Sequence, residues 1–281
     1  MIKNNNNIDT YVADEYAEID VSRVIEHFAG QYAADTATKL YALRRCSENG
    51  SNFTDIINSL ERSNGRLLGF INAMAELFGK DKILSRPRIS SYNVIKYIND
   101  IAAQINSAIS IRGEGEVVFK TQKSDVCSAS FDVRRVSTIL YHLISNSLQH
   151  GKTEDKTVII KCKKEDGLFE ISVSDHGGGI PKAVQSTMYT KFLEEYSFKN
   201  QMLGNFPPRV TGLGLLLCRK LSADMNGEIK FRNISGGAQF TLVIPQTKTS
   251  VKEESVYVPD DALMNQCMAY LDIEDIGGNN D

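Results

Sequence analysis

The sequence lacks several features that would assign it to a class at once. Its 281 residues contain no run of about eighteen apolar residues, so no membrane span is expected. The first residues, Met1 to Asp9, are rich in asparagine and lack the apolar stretch of a secretion signal. A formal net charge of −3 gives no clustered basic excess. Nucleic acid is therefore not an expected partner.

Cysteine is scarce as well, and its placement excludes two kinds of site. The five cysteines are an odd number, lie far apart, and include no pair with the spacing of a zinc site or a redox motif: Cys46, Cys127, Cys162, Cys218 and Cys267. Small buried thiols in a reducing compartment explain them best. The sequence therefore predicts a cytoplasmic protein.

Helical periodicity dominates the first part of the chain after a leader, residues 1–17, that is expected to be disordered. A first apolar stripe recurs at helical spacing over about 19–46, at Val21, Val24, Ile25, Phe28 and Tyr32. Turn residues follow at 47–52. A second, longer stripe covers about 53–78 and comprises Phe53, Ile56, Ile57, Leu60, Leu67, Ile71, Met74 and Phe78.

These two stripes predict an antiparallel helical hairpin over residues 18–80. A lone hairpin leaves both stripes half exposed, so we expect two copies to form a four-helix bundle as a homodimer. The alternative is that the hairpin packs on its own C-terminal domain.

The remaining pattern alternates helices and strands and predicts an α+β chain with a second domain over residues 86–246. After a linker at 85–88, helices are expected at about 92–109, 132–150 (with Asp132 as N-cap) and 213–225. Strands are expected at about 116–121, 126–131, 157–163, 168–174, 228–233 and 239–244. This order favours a two-layer α/β sandwich, one mixed sheet with helices on one face. Residues 247–281 form an acidic tail, either solvated or docked on a partner or on the chain itself.

The most informative motif is Asp175-His-Gly-Gly-Gly-Ile180, which directly follows a predicted strand. Gly177 and Gly179 leave room for a ligand to approach the backbone closely. A carboxylate beside such a turn is suited to accept a hydrogen bond from an exocyclic amine such as that of adenine. A calcium loop or an ordinary turn also fits this motif alone.

Two further segments carry polar or glycine residues in an apolar setting. The predicted helix that ends at about His150 has four polar residues on one face: His142, Asn146, Gln149 and His150. The Asn146 amide needs a partner, which could be a hydrated magnesium ion with phosphate or a neighbouring loop. Downstream, Thr211-Gly-Leu-Gly-Leu215 opens a helix whose free N–H groups would face a phosphate.

In order and spacing, these three segments resemble the N, G1 and G2 boxes of the ATPase family shared by histidine kinases, gyrase, MutL and related chaperones (the GHKL type). Residues 188–192 resemble the F box of histidine kinases, and 236–240 the last glycine box. The resemblance implies ATP and Mg²⁺ as cofactors, with Asn146 on the metal and Asp175 on adenine. It also implies that Gly212, Leu213 and Gly214 contact the phosphates. A mobile lid at about 193–210 would bring Lys199 or Arg209 to the phosphates. The other pocket residues it implies are Gln149, His150, Gly177, Gly179, Ile180, Tyr189 and Phe192.

Two departures from the family pattern predict weaker nucleotide binding. Gln149 stands where histidine kinases often have a phosphate-binding lysine, and Ala238 replaces a hydroxyl residue near adenine. Each lost hydrogen bond costs on the order of 1 kcal/mol. His142 occupies the position where members that hydrolyse ATP have a glutamate base, and this favours the kinase branch.

His27 is the candidate phosphoacceptor, because it is the only histidine before residue 142. A helical projection places it away from the apolar stripe. The acidic residue and proline that usually follow such a histidine are absent, so the base that takes the imidazole proton is missing. If Phe28 to Gly30 match the segment before the phosphoacceptor, Ala33 falls at that position instead.

The sequence therefore predicts a histidine-kinase-like two-component protein that transfers the γ-phosphoryl group of ATP to His27 and on to a response-regulator receiver domain. One alternative is a pseudokinase or a histidine phosphotransferase that uses the same bundle to dock a response regulator. A lesser one is a serine/threonine kinase of the anti-sigma type, against which the helical hairpin speaks.

Overall fold

The computed structural model describes residues 21–49, 53–78, 86–110, 115–120, 128–150, 155–185 and 213–246. Its longer helices are α1 (Val21–Asn49), α2 (Thr54–Phe78), α3 (Val94–Ser110), α4 (Val133–His150) and α6 (Leu213–Asp224), with a short α5 (Lys182–Gln185). Its strands are β1 (Ile89–Asn93), β2 (Glu116–Phe119), β3 (Ser128–Asp132), β4 (Thr157–Glu165), β5 (Leu168–Ser174), β6 (Glu228–Ile234) and β7 (Gly237–Pro245). The leader, the lid segment and the acidic tail lie outside the described residues.

Helices α1 and α2 pack side by side in opposite directions. The rings of Phe28 and Phe70 lie 4.2 Å apart, centroid to centroid. Further along α1, Lys39 pairs with Asp35 at 2.6 Å and donates to the carbonyl of Ser59 and the hydroxyl of Ser63. These contacts within one chain hold the two helices together. Dimerisation of the helical pair stays a prediction.

One face of α2 is buried and the other is apolar but exposed. Phe70, Ala73 and Met74 are buried within the core, whereas a second set of apolar side chains at helical spacing is 36–51% exposed: Phe53, Ile57, Leu68 and Ile71. The predicted stripe of α2 is therefore divided, with Met74 on the buried side and Phe53, Ile57 and Ile71 on the exposed side.

The second part of the chain is a two-layer sandwich. Its main sheet has the strand order β2-β4-β5-β7-β6, with β2 and β4 parallel and the other pairs antiparallel, so the predicted mixed sheet is confirmed. Alternate strand residues, such as Ile160, Ile171 and Leu242, are fully buried beneath the helices. Helix α6 contacts α4, the sheet and α2, so it lies between the sandwich and the helical pair.

Most predicted elements of residues 86–246 agree with the structure to within two residues. Asp132 caps α4 as expected, because its Oδ1 accepts hydrogen bonds from the N–H groups of Arg134 and Arg135 at 3.0 and 3.1 Å. The strand β1 is not predicted by the sequence, because Ile-Ser-Ser-Tyr-Asn has no clear apolar alternation. It forms by pairing with β3, in a separate two-stranded sheet.

None of the helices in the described ranges combines the length and the apolar character needed to cross a membrane.

Candidate nucleotide site

The carboxylate of Asp175 occupies a fixed position at the end of β5. It is buried, and its Oδ1 accepts hydrogen bonds from the backbone N–H groups of Gly177 at 2.9 Å and Ala238 at 3.1 Å. The N–H of Asp175 donates to the Ala238 carbonyl at 3.0 Å. Within the described part of the chain, Oδ2 has no hydrogen-bond donor. One oxygen therefore orients the carboxylate, and the other remains able to accept a bond from a ligand.

Ala238 contributes to this arrangement through its backbone. Its side chain is buried and apolar, and the weaker nucleotide binding expected from the missing hydroxyl group stays a prediction. Its N–H and C=O nevertheless clamp Asp175 on both sides. The residue type alone does not indicate this contact, because every residue other than proline has the same backbone N–H and C=O groups.

The last glycine box is explained by the same clamp. A Cβ atom at Gly237 would lie 1.8 Å from the carbonyl oxygen of Asp175, so that only glycine fits. Gly236 adopts a φ of +80°, which turns the chain from β6 into β7 and lets its carbonyl accept from the N–H of Gly178 at 2.9 Å. These glycines hold β7 against the start of the Asp175 loop.

Asn233 fixes the far end of that loop. Its Oδ1 accepts from the N–H of Ile180 at 2.8 Å, and its Nδ2 donates to the Ile180 carbonyl at 3.0 Å. A Cβ at Gly179, where φ is +86°, would lie 3.1 Å from this amide. Gly179 therefore has a reason within the protein itself, besides room for a ligand. The sequence does not indicate this role of Asn233, because its partner lies 53 residues away along the chain.

On α4, His142 and Asn146 occupy the same face one turn apart. Burial lowers the pKa of His142 from 6.5 to about 4, so the imidazole is neutral at pH 7. Asn146 is half-buried, and its side-chain amide makes no hydrogen bond within the described ranges. Gln149 lies about one turn after Asn146 along α4, and its Nε2 donates to the hydroxyl of Ser145 at 3.4 Å. The Asn146 amide is thus available for a ligand.

Helices α4 and α6 run antiparallel, and this places Asn146 relative to the start of α6. Arg135 Nη1 contacts Asp224 Oδ2 at 2.7 Å, and Cys218 Sγ lies 3.9 Å from the carbonyl of Ile139. A Cβ at Gly214 would lie 3.0 Å from His142 Nδ1. Each turn forward along α4 is matched by a turn back along α6, so Asn146 lies at the N-terminal end of α6.

The loop after β5 and the last turns of α4 meet at the same end of the sandwich. A Cβ at Gly115, just before β2, would lie 3.0 Å from Leu148 and 2.7 Å from the Lys156 carbonyl. His176 Nδ1 in turn lies 3.4 Å from Asp155 Oδ2. Asp155 and Lys156 directly precede β4. The Asp175 loop, the Asn146 turn and the start of α6 therefore converge at the same end of the sandwich.

That end of the sandwich offers complementary groups for a nucleotide. A carboxylate oxygen can accept a bond from an amine, an amide oxygen is a suitable ligand for Mg²⁺, and the free N–H groups at a helix N-terminus attract phosphate. Two buried thiols, Cys162 and Cys218, take no part, because burial raises the pKa of both well above the usual range.

Several predicted pocket residues lie outside the described residues: Tyr189, Phe192, Lys199, Arg209 and Gly212. His27, His150 and Leu213 lie on described helices, but nothing is described of their side chains.

The comparisons with known proteins agree with this geometry. Residues 131–248 match the family described as "Histidine kinase-, DNA gyrase B-, and HSP90-like ATPase". The signal transduction histidine-protein kinase AfsQ2 of Streptomyces coelicolor is 31% identical over 156 residues, which is 55% of this chain and 27% of AfsQ2. The sensor-like histidine kinase SenX3 of Mycolicibacterium smegmatis is 24% identical over 251 residues, which is 84% of this chain and 61% of SenX3.

Among solved structures, the histidine kinase AdeS of Acinetobacter baumannii shares the fold. The alignment has a TM-score of 0.54 at 16% identity and covers 76% of this chain and 96% of the AdeS chain. The chain itself spans about a quarter of the length of AfsQ2 and three fifths of that of SenX3. Residues 131–248 thus form a histidine kinase-, DNA gyrase B- and HSP90-like ATPase domain, and the relatives to which the chain is similar are histidine kinases.

Proposed function

We propose that this protein binds Mg-ATP at the convergent end of the sandwich and transfers the γ-phosphoryl group to a histidine, and from there to a response-regulator aspartate. The observation that carries the nucleotide part is the buried Asp175 carboxylate, with Oδ1 held by two backbone N–H groups and Oδ2 left to accept. Such an oxygen discriminates an adenine amine, a donor, from a carbonyl at the same place.

Asn146 is the residue proposed to hold magnesium. Its amide is half-buried, lacks a hydrogen-bond partner among the described residues, and lies at the N-terminal end of α6. Amide and phosphate oxygens are the ligands that Mg²⁺ accepts, and the ion would neutralise negative charge on the phosphates. His142 supports this turn of α4 as a neutral imidazole packed against Gly214.

His27 is the proposed phosphoacceptor, on α1. An imidazole nitrogen would attack the γ-phosphorus, the bond to the bridging oxygen would break, and ADP would leave. Most of the rate enhancement would come from positioning and charge stabilisation. Two copies of the chain, joined through the exposed apolar face of α2, would supply the bundle on which a receiver domain docks.

One observation favours the alternative, a pseudokinase or phosphotransferase. The residue after His27 is Phe28, which is 1% exposed and packs against Phe70 in the core, with the two rings tilted by 36°. The position where the family carries an acidic base is therefore part of the hydrophobic packing. A base for the imidazole proton would have to come from elsewhere, or the transfer from ATP would be slow.

The nucleotide proposal is tested by Asp175→Asn. Asparagine keeps an oxygen for the two N–H donors but presents an NH₂ group where Oδ2 accepts, so we expect ATP affinity to fall about 10- to 100-fold in isothermal titration calorimetry. Asp166→Asn is the matched control, because Asp166 is an exposed turn residue with a φ of +51° that asparagine also adopts. Equal affinities in the two variants would contradict the proposal.

The phosphotransfer proposal is tested separately with γ-labelled ATP and magnesium. An acid-labile, base-stable label that is lost in His27→Ala would support autophosphorylation of His27. Binding of ATP without any label would favour the pseudokinase. Label acquired only from a phosphorylated receiver domain would identify a phosphotransferase.

A further inference from the structure

The main sheet has a second face, opposite to the helices, on which side chains align in rows across the strands. The register pairs Lys161 with Ser172, Ser172 with Thr241, and Thr241 with Lys230. Because side chains alternate along a strand, this row points away from the buried set that includes Ile171 and Leu242. The row therefore belongs to the face that the described helices leave open.

The neighbouring row towards the nucleotide site is held together laterally. Gln239 Nε2 donates to Ser174 Oγ at 3.1 Å, and Arg232 Nε donates to Gln239 Oε1 at 2.6 Å. We call the two rows the basic sheet face: Lys161, Ser172, Thr241, Lys230, Ser174, Gln239 and Arg232. It spans four strands, about 14 Å at the usual strand spacing.

The charge on the basic sheet face has one sign. It carries three cations, Lys161, Lys230 and Arg232, and no carboxylate of its own. Glu228, in the next row, pairs with Lys230 at 2.8 Å. Lys161 is exposed and has no ion pair within the described ranges. The face therefore has more positive charge than its neighbours neutralise.

The centre of this side of the sheet is nevertheless little exposed. Val243, which the register places opposite Glu170 and Glu228 on the same face, is 3% exposed, and Ser174 and Gln239 are 8% and 9% exposed. The helices that bury the core lie on the opposite face. Little apolar surface is therefore exposed here, and the charge of Lys161, Lys230 and Arg232 favours an acidic occupant.

The segment 247–281 has that chemistry and begins close by. It carries eight acidic and two basic residues, a net charge of −6, so the preceding 246 residues carry +3 of the chain's −3. It also contains the apolar stretch Ala262-Leu-Met-Asn-Gln-Cys-Met-Ala-Tyr-Leu271.

The starting point of the segment is fixed by Gln246. The Gln246 N–H donates to the Gly167 carbonyl at 2.7 Å, and its side-chain amide pairs with both backbone groups of Ser130 at 2.8 and 3.2 Å. A path from there to the level of Ser174 follows β7 back to Gln239 for about 24 Å, which about eight extended residues cover. The 35 residues that follow Gln246 are more than sufficient.

We propose that the acidic segment 247–281 docks in cis on the basic sheet face, with its carboxylates against Lys161, Lys230 and Arg232. The row of Ser174 and Gln239 is adjacent in sequence to Asp175 and Ala238, so the docked segment reaches the strand ends that hold the nucleotide loop. Its attraction to the face is electrostatic and weakens as the salt concentration rises.

Zero-length carbodiimide cross-linking of the full chain, mapped by mass spectrometry, tests the proposal. We expect Lys161 and Lys230 to link to Glu253, Glu254, Asp260 or Asp261 in monomeric product. Lys96, an exposed lysine on α3, is the control and should give no such links. Absence of the Lys161 and Lys230 links, or equal yields from Lys96, would overturn the proposal. Links found only between isotopically distinct copies would overturn docking in cis.

Limited proteolysis gives a second readout. The charge reversals Lys161→Glu and Lys230→Glu together should speed cleavage within 247–281 about tenfold, the equivalent of a few exposed ion pairs. The pair Asp260→Lys and Asp261→Lys, which leaves the sheet untouched, should have the same effect, and Lys96→Glu should have none. Unchanged cleavage in both double variants would contradict the docking.

Discussion

The sandwich and the helical pair differ in how completely their side chains find partners within one copy of the chain. At the nucleotide end of the sandwich, backbone N–H groups, glycines and the Asn233 amide fix Asp175 and its loop from within the same chain. The pair α1–α2 also has internal contacts, yet it leaves Leu68 and Ile71 about half exposed. The difference is that the Asp175 loop is fixed by contacts within one copy, whereas the helical pair leaves an apolar face exposed, which a second copy covers in the proposed dimer.

The largest effect on stability is expected from Phe70→Ala. Phe70 is 5% exposed and packs against Phe28, so its truncation should lower the free energy of unfolding by about 3–5 kcal/mol in urea denaturation. ATP affinity per folded molecule should stay within about twofold of the parent value, because the site is held by other contacts. The neighbour Ile71, 51% exposed, is the control, and Ile71→Ala should cost less than about 1 kcal/mol.

A comparable loss of stability is expected from Gly237→Ala, which, unlike Phe70→Ala, should also lower the affinity for ATP. The added methyl group would overlap the Asp175 carbonyl, so about 3 kcal/mol of stability and most of the nucleotide affinity should be lost together. Fluorescent ATP titration and thermal unfolding measure the two effects.

The matched change on the helical pair is Gly30→Ala. Gly30 is exposed on α1, and a Cβ there would meet nothing within 4 Å, so alanine should stabilise α1 by about 0.5–1 kcal/mol. A larger loss from Gly30→Ala than from Gly237→Ala would reverse the comparison.

The pH dependence should be dominated by His142. Its pKa in the folded state is about 4, against 6.5 for the free side chain, so the unfolded chain takes up the proton first as the pH falls. Stability is therefore complete above pH 6.5 and is lost progressively down to about pH 4, by about 3 kcal/mol at most. The His142→Asn variant, which cannot titrate, should show a correspondingly flatter profile between these pH values in urea denaturation. An unchanged profile would contradict the assignment.

The smallest effect on the stability of a single copy is expected from Leu68→Ser with Ile71→Ser. Both side chains are exposed, so the unfolding of the monomer should change by about 0.5 kcal/mol or less. If a second copy covers this face, sedimentation velocity should show a shift from dimer to monomer. Lys96→Ser, on α3, should leave the association state unchanged, and a parent protein that is monomeric at all concentrations would refute the proposed dimer.

Much of the sandwich could be predicted because its signals are local. The strand β5 was predicted at its observed bounds from apolar alternation between two turn signals, and Asp132 was recognised as a cap from its place before a helix. The strand β1 could not be predicted, because its pairing with β3 depends on residues about 40 positions away. Likewise, nothing in the residue types indicated that Gly179 faces Asn233 rather than only a ligand.

The sequence by itself determined the residues that can meet a nucleotide: an aspartate before a glycine turn, an amide on an apolar helix and glycines at a helix start. Nucleotide binding needs hydrogen-bonding side chains and small residues at fixed spacing, and these residue types are visible in the sequence. Only the tertiary structure decided how they are held, namely the Ala238 backbone clamp, the antiparallel packing of α4 on α6 and the burial that keeps His142 neutral. These features arise between segments distant along the chain, where backbone geometry and desolvation act without leaving a local pattern in the sequence.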